Sequence, residues 1–217
     1  MFADFTGIDL TNVDLTDAEL HDADFTGTQL KYADLTNADL TSTTFTDANL
    51  KGITFTDADL RHADLAYARL ASALMMNADL SGADLRHAYL YGALLTNSDL
   101  SNANLTNSDL TGAQLQFSDL SDADFGYASL KRANLTNSNL TNSNLEYATL
   151  SQTKLSDADL TNANFGFNLL GQASFEHAIF QNADFTDTNL LHVDLTNVDL
   201  TNANIEGAIF AYCDWGT

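Results

Sequence analysis

The sequence predicts an all-β solenoid, a coil of four five-residue sides stacked about 11 times over 217 residues. Three observations predict it. A large apolar residue recurs at every fifth position, unbroken from Phe5 to Trp215. A small residue stands two positions before it along the whole chain, and there is no proline.

The apolar column has 43 members: 30 Leu, 10 Phe, and one each of Met75, Ile205 and Trp215. The position two earlier holds 27 Ala; Ser, Thr, Val, Ile and Cys supply all but one of the others, and the exception is Asn168. Between the two, Asp and Asn are favoured, as in Ala33-Asp34-Leu35, Ala58-Asp59-Leu60 and Ala133-Asn134-Leu135. A period of five drifts against the helical turn and swaps faces along a regular strand. It suits a chain that turns a corner every five residues and points one large and one small residue inward per side. The Thr, Asn, Ser, Asp and Gly that fill the other positions are corner residues, because they bond nearby backbone or tolerate unusual dihedrals. Four sides close a coil of 20 residues, so coils stacked at the inter-strand spacing satisfy one another's backbone. A proline would delete an amide donor from that ladder. Leu100 is expected inward, where truncation is costly, and Asn102 outward and replaceable by Ala. Asn168, the polar core residue, is expected to bond corner backbone.

On these residues the chain resembles the pentapeptide-repeat family, whose motif is a small residue, Asp or Asn, Leu or Phe, then two polar residues. The match runs from residue 3 to 215 in one register without insertion, so residues 1–217 are expected to form a single uninterrupted repeat domain. The resemblance implies a right-handed quadrilateral β-helix of short strands and tight turns. Some bacterial members resemble B-form DNA in shape and charge, bind type II topoisomerases such as DNA gyrase, and give quinolone resistance. Better-known members of that kind carry projecting loops or a C-terminal dimerisation helix, and neither is readable here.

Thirty Asp and Glu stand against eight Lys and Arg, a net charge of -22. That balance excludes direct nucleic-acid binding through a basic footprint. A single Cys excludes a disulfide framework or a cysteine zinc site. No apolar run approaches the length of a membrane span, and the N-terminus lacks the features of a signal peptide. The expectation is a cytoplasmic protein with no membrane association.

Read at 20-residue intervals, the acids form columns. Twenty of the 30 precede an inward Leu, Phe or Trp, and 14 of those lie on two adjoining sides. One side carries Glu19, Asp39, Asp59, Asp79, Asp99, Asp119, Asp159 and Asp199, and the next carries Asp4, Asp24, Asp64, Asp84, Asp124 and Asp184. At about 4.8 Å per coil the rod is roughly 52 Å long. Its 30 acids then fall about one per 1.7 Å, the axial charge density of duplex DNA. The sharper expectation is therefore a DNA mimic acting on a type II topoisomerase; the alternative is an interaction or structural scaffold. A Thr column (Thr16, Thr36, Thr56, Thr96, Thr136, Thr196) raises ice binding as a remote third reading. Like charges stacked about 5 Å apart are expected to work against folding.

Apolar residues at outward positions mark a second surface. Phe167, Leu169, Leu191, Ile209 and Tyr212 gather near the C-terminus and are expected to form a homodimer or partner patch. Tyr67, Tyr127, Tyr147 and Phe167 share a corner column with His87 and Asn107. No catalytic, cofactor-binding or metal site is expected. The five His lie on different columns or distant coils, Cys213 reads as core, and the Asp pairs lack the burial that acid/base chemistry requires.

Overall fold

Backbone pairing follows the 20-residue period without exception in the computed structural model, which describes residues 3–216. Every bridge is parallel and joins a residue to the one 20 positions on, from Asp4↔Asp24 to Asp194↔Asp214. The bridged residue is always the one just before the central apolar residue. Each side thus contributes one bridged residue rather than the short strand expected. With a corner every five residues, only three remain between turns, too few for a continuous ladder.

The four sides are named here by their central residues: the first contains Phe5 and Phe25, the second Leu10 and Leu30, the third Leu15 and Leu35, the fourth Leu20 and Leu40. The hydrogen bonds around Leu10 illustrate all of them. Leu10 N–H donates to the Gln29 carbonyl at 2.7 Å and Asn12 N–H to the Lys31 carbonyl at 2.9 Å, both in the next coil. Val13 N–H closes the corner onto the Leu10 carbonyl at 3.2 Å. The second corner residue has positive φ, 59° at Asn12, and this combination defines a type II turn. The positive φ repeats at every corner from Gly7 to Tyr212, yet only seven of those corner residues are glycine. Asn, Asp and Ser take many of them, and so do Tyr32, Tyr67, Phe117, His87 and Arg132. Asn102, at φ 59°, is one such corner. Ala there adopts a left-handed conformation that costs an L-residue about 1–2 kcal/mol, so the expectation that Asn102 is freely replaceable is corrected.

Inside, the apolar column is buried from Phe25 to Leu195, with the residue two before it beside it. Phe5, Phe25 and Phe45 stack along the first side at centroid spacings of 4.6 and 5.1 Å. Phe165, Phe175 and Phe180 fill all but the second side of the ninth coil, and Phe185 of the tenth stacks on Phe165 at 4.9 Å. All the buried hydroxyls but that of Ser143 find partners by reach. Thr28, Thr43, Thr153 and Thr188 donate to a carbonyl 23 residues earlier, in the preceding coil. Ser98, Ser108, Ser118 and Ser138 turn back onto the carbonyl three residues before. Asn168 does neither. It is buried, and both its Oδ1 and Nδ2 lack a partner, contrary to expectation. The larger amide at the small inward position makes no bond to the carbonyls that Ser and Thr reach. An unsatisfied group of this kind costs about 1–3 kcal/mol.

Leu100→Ala is expected to lower unfolding free energy by about 2–5 kcal/mol as a fully enclosed truncation. Asn102→Gly, which relaxes the corner, is expected to change it by less than about 1 kcal/mol. Urea unfolding of both variants measures the contrast; equal losses contradict the inward and outward assignment.

Candidate interaction surface

Each side has five backbone N–H groups, and four find carbonyls: the three kinds above and that of the residue before the central one, which donates to the preceding coil as Gln29 does to Ile8 at 2.9 Å. The fifth belongs to the residue after the central one, and on most sides its acceptor is a side chain. The Asp or Asn before the central residue turns Oδ1 onto it: Thr11 N–H donates to Asp9 at 3.0 Å and Ser101 N–H to Asp99 at 2.8 Å. Where Thr occupies the corner its hydroxyl joins in, as Thr41 Oγ1 does on Asp39 at 2.5 Å. This is why Asp and Asn recur at that position.

The two acidic columns are in register. Bridges link Glu19, Asp39, Asp59, Asp79, Asp99 and Asp119 consecutively on the fourth side; Asn139 then separates Asp159, and Ile179 separates Asp199. On the first side Asp4 pairs with Asp24 and Asp64 with Asp84, while Thr44 and Asn104 interrupt, and Asp124 and Asp184 stand apart between asparagines. Every aspartate of both columns caps its corner N–H, at 2.8 to 3.2 Å; Glu19 does not. Two arginines partly neutralise these sides. Arg61 grips Asp59 at 2.6 Å and approaches Asp79 at 3.8 Å, and Arg86 grips Asp84 at 2.6 Å.

The hydroxyl and amide bonds from the corner hold several carboxyls below the ordinary Asp range. Thr41 does this at Asp39, against the opposing charge of Asp59 in the next coil. Asp4, Asp9, Asp14 and Asp199 are lowered the same way, each by its own Thr. At Asp59 the bonds from Arg61 dominate. The charge of Asp59 acts on Asp39 in the unfavourable sense expected of a column, and local capping outweighs it there.

The apolar patch divides. Leu169 and Ile209 are exposed in one column of the second side with Asn189 between them, and Leu191 lies at the following corner. Tyr212, 82% exposed, stacks on His192 at 5.2 Å. Phe167 belongs to the opposite edge of that side, where it ends a ladder with Tyr147 and Tyr127 at 5.0 and 4.7 Å spacings. Tyr67 and His87 stack at 4.7 Å in the same column, without the later rings. The Thr hydroxyls of Thr16, Thr36 and Thr136 are turned onto Asp14, Asp34 and Asn134. Cys213 donates its thiol to the Leu190 carbonyl at 2.9 Å, and burial pushes its pKa up. Among the described residues no three His, Cys, Asp or Glu side chains converge as a metal site.

Sequence reading missed the cations. Lys31, Lys51, Arg69, Lys131 and Arg132 all fall on the second side or the corner that ends it, opposite the fourth side and its acids. The 20-residue period that aligns the acids aligns these bases too.

A stack of four-sided coils with side-chain-capped corners defines a repeat solenoid. Eight copies of the pentapeptide-repeat family model match, spanning residues 2–31, 18–57, 53–90, 88–126, 118–157, 128–166, 155–190 and 178–214, and the chain belongs to that family, which implies a right-handed β-helix solenoid. HetL from the cyanobacterium Nostoc sp. strain PCC 7120, a pentapeptide repeat protein involved in heterocyst differentiation regulation, is 30% identical, covering 98% of this chain and 89% of HetL with a TM-score of 0.36. The pentapeptide repeat protein alr5209 from Nostoc is 37% identical over 40% of this chain and 69% of its own, with a TM-score of 0.37. QnrB1, a plasmid-mediated fluoroquinolone resistance protein, is 20% identical over 97% of this chain and 92% of its own, with a TM-score of 0.42. No curated protein matches.

Carboxyls held below the ordinary Asp value contribute stability that is present above about pH 4 and lost as pH falls through their lowered values. The urea midpoint is therefore expected to stay level above about pH 5 and to drop as pH falls from about 4 toward 2. A midpoint that rises on acidification would show column repulsion to be the larger effect.

Proposed function

We propose that this chain is a non-enzymatic recognition protein whose acidic sides imitate B-form DNA and dock in the basic DNA-binding groove of a type II topoisomerase, DNA gyrase. One observation carries the reading. Asn caps the corner N–H as Asp does: Asn104 and Asn139 hold theirs at 3.1 Å, against 2.8 Å at Asp99. The turn therefore demands Asp or Asn but not a charge, and the excess of Asp on the fourth and first sides is left for another role. Six consecutive acids on the fourth side repeat at about the spacing of paired strands, roughly 4.8 Å. Such a row attracts cationic clefts over a Debye length of about 8–10 Å and raises association rates. The proposed target places the protein in the cytoplasm.

Added to a gyrase supercoiling assay at low salt, the protein is expected to inhibit at concentrations on the order of tens of micromolar, an affinity of roughly 6 kcal/mol. The combined variant Asp79→Asn, Asp99→Asn, Asp119→Asn and Asp159→Asn keeps the caps and removes four charges; inhibition is expected to vanish with the melting midpoint nearly unchanged. Inhibition that persists in this variant, or is absent from the wild type, sinks the reading.

The apolar second side supports self-association as a companion reading. Leu169 and Ile209 are more than half exposed in one column, at 57% and 56%, beside Leu191. Exposed apolar clusters of this kind mark contacts. Light scattering is expected to give a dimer mass for the wild type and a monomer mass for Leu169→Asp combined with Ile209→Asp. A monomeric wild type, or an unchanged mass in the variant, refutes it.

A further inference from the structure

We propose that the second side carries a binding site for a compact polyanion bearing an aromatic ring, of the nucleoside polyphosphate class. Lys31, Lys51 and Arg69 line a groove of about 740 Å³ together with Tyr32, Asn49 and Tyr89. The volume lies within the range of small-molecule sites, roughly 300–1,000 Å³. Lys31 and Lys51 stand one coil apart at one corner column, and Arg69 projects from the adjoining column between Asn49 and Tyr89.

These cations differ from those on the acidic sides. Arg61 and Arg86 are held by Asp59 and Asp84, whereas among the described residues no carboxylate forms an ion pair with Lys31, Lys51 or Arg69. In a chain of net charge -22, three cations without an ion-pair partner, of which Lys31 also acts on Asp9 by its charge, concentrate positive charge in one groove. Two lysines supply point charges for phosphate oxygens, and the guanidinium supplies a planar fork that binds them in pairs.

The aromatic component rests on a separate feature. Gly52 sits beneath the Tyr32 ring: a Cβ at residue 52 would lie 2.6 Å from Tyr32 Cδ1. The missing side chain lets the ring lie close against the next coil, while Tyr32 stays 56% exposed. Tyr89, 54% exposed, stands on the same side. Flat aromatic groups of this kind are stacking platforms for a base.

Length excludes an extended polyanion. The bridged column of the second side runs Asp9, Gln29, Asn49, Arg69, Tyr89, Asp109, so an aspartate closes each end. Gln29 to Tyr89 spans three coil steps, roughly 14 Å at about 4.8 Å each. Asp47 on the preceding corner and Asp34 on the following side flank the groove by register. A nucleic acid strand would overrun onto these charges, and a mononucleotide would not.

Calorimetry of the full chain at low salt, with ATP, sodium tripolyphosphate, adenosine and a tetraglutamate peptide as probes, tests the site. Saturable ATP binding with Kd below about 1 mM is expected, with tripolyphosphate about tenfold weaker for want of stacking. Lys51→Ala with Arg69→Ala is expected to weaken ATP and tripolyphosphate at least about tenfold, while Lys131→Ala, outside the groove, changes neither. Gly52→Ala, at a position whose positive φ many non-glycine corners share, is expected to displace Tyr32 and bring ATP down to the tripolyphosphate level. Absence of saturable ATP binding, or ATP binding indifferent to Lys51 and Arg69, overturns the site. Equal affinity for ATP and tripolyphosphate overturns its aromatic half, and tighter binding of tetraglutamate than of ATP overturns the small-ligand assignment in favour of an acidic protein segment. The Asp→Asn variants of the fourth side are expected to bind ATP as the wild type does, so the site stands or falls apart from the DNA-mimic reading.

Discussion

The fold depends on one orphan amide per side. A corner every five residues lets four N–H groups reach carbonyls, three of them in adjacent coils and one within the turn, and leaves the fifth without a backbone partner. Unpaired backbone donors are costly when water is restricted. On most sides the carboxylate or amide of the preceding Asp or Asn accepts that hydrogen bond, as from Thr11, Ser121 and Thr161. Where the capping position holds Arg69, Tyr89, Leu74 or Ile179, the cap is given up and the side chain becomes available for another use.

The second constraint is the left-handed corner residue. Its positive φ favours Gly, Asn and Asp, yet Tyr, Phe, His and Arg also occupy it. Inter-coil bonds from the corner N–H, such as Tyr127 to the Glu146 carbonyl at 3.1 Å, hold the backbone there regardless of side chain. A large residue at such a corner extends along the rod rather than away from it. It then stacks on a ring in the adjoining coil, as Tyr127 does on Tyr147, or lies over a glycine, as Tyr32 does on Gly52 and His62 on Gly82.

Together these constraints give the rod a polar cross-section. The fourth and first sides concentrate carboxylates whose hydrogen-bonding duty Asn could discharge as well. The second side, opposite the fourth, collects five of the eight Lys and Arg along its length and exposed Leu and Ile near its C-terminal end. A scaffold of uniform surface has no need of such segregation. The sides are independent as recognition surfaces because the buried apolar column separates them.

The fold was legible in the sequence because burial here is periodic in one dimension: Phe25 to Leu195 are inward for a reason that a five-residue count exposes. The acidic columns were legible for the same reason, since residues 20 apart must stack once the coil closes. Tertiary structure decided what depends on neighbouring coils and on side-chain reach. It separated Phe167, which ends an aromatic ladder, from the Leu169 and Ile209 column, and it left Asn168 without a partner where Ser98 and Thr188 find one. It also laid Tyr32 over Gly52 beside three unpaired cations. A repeat written in sequence fixes which way a residue faces, because facing needs only the period; a groove needs particular side chains on adjacent coils to leave a space between them, and that is determined by packing.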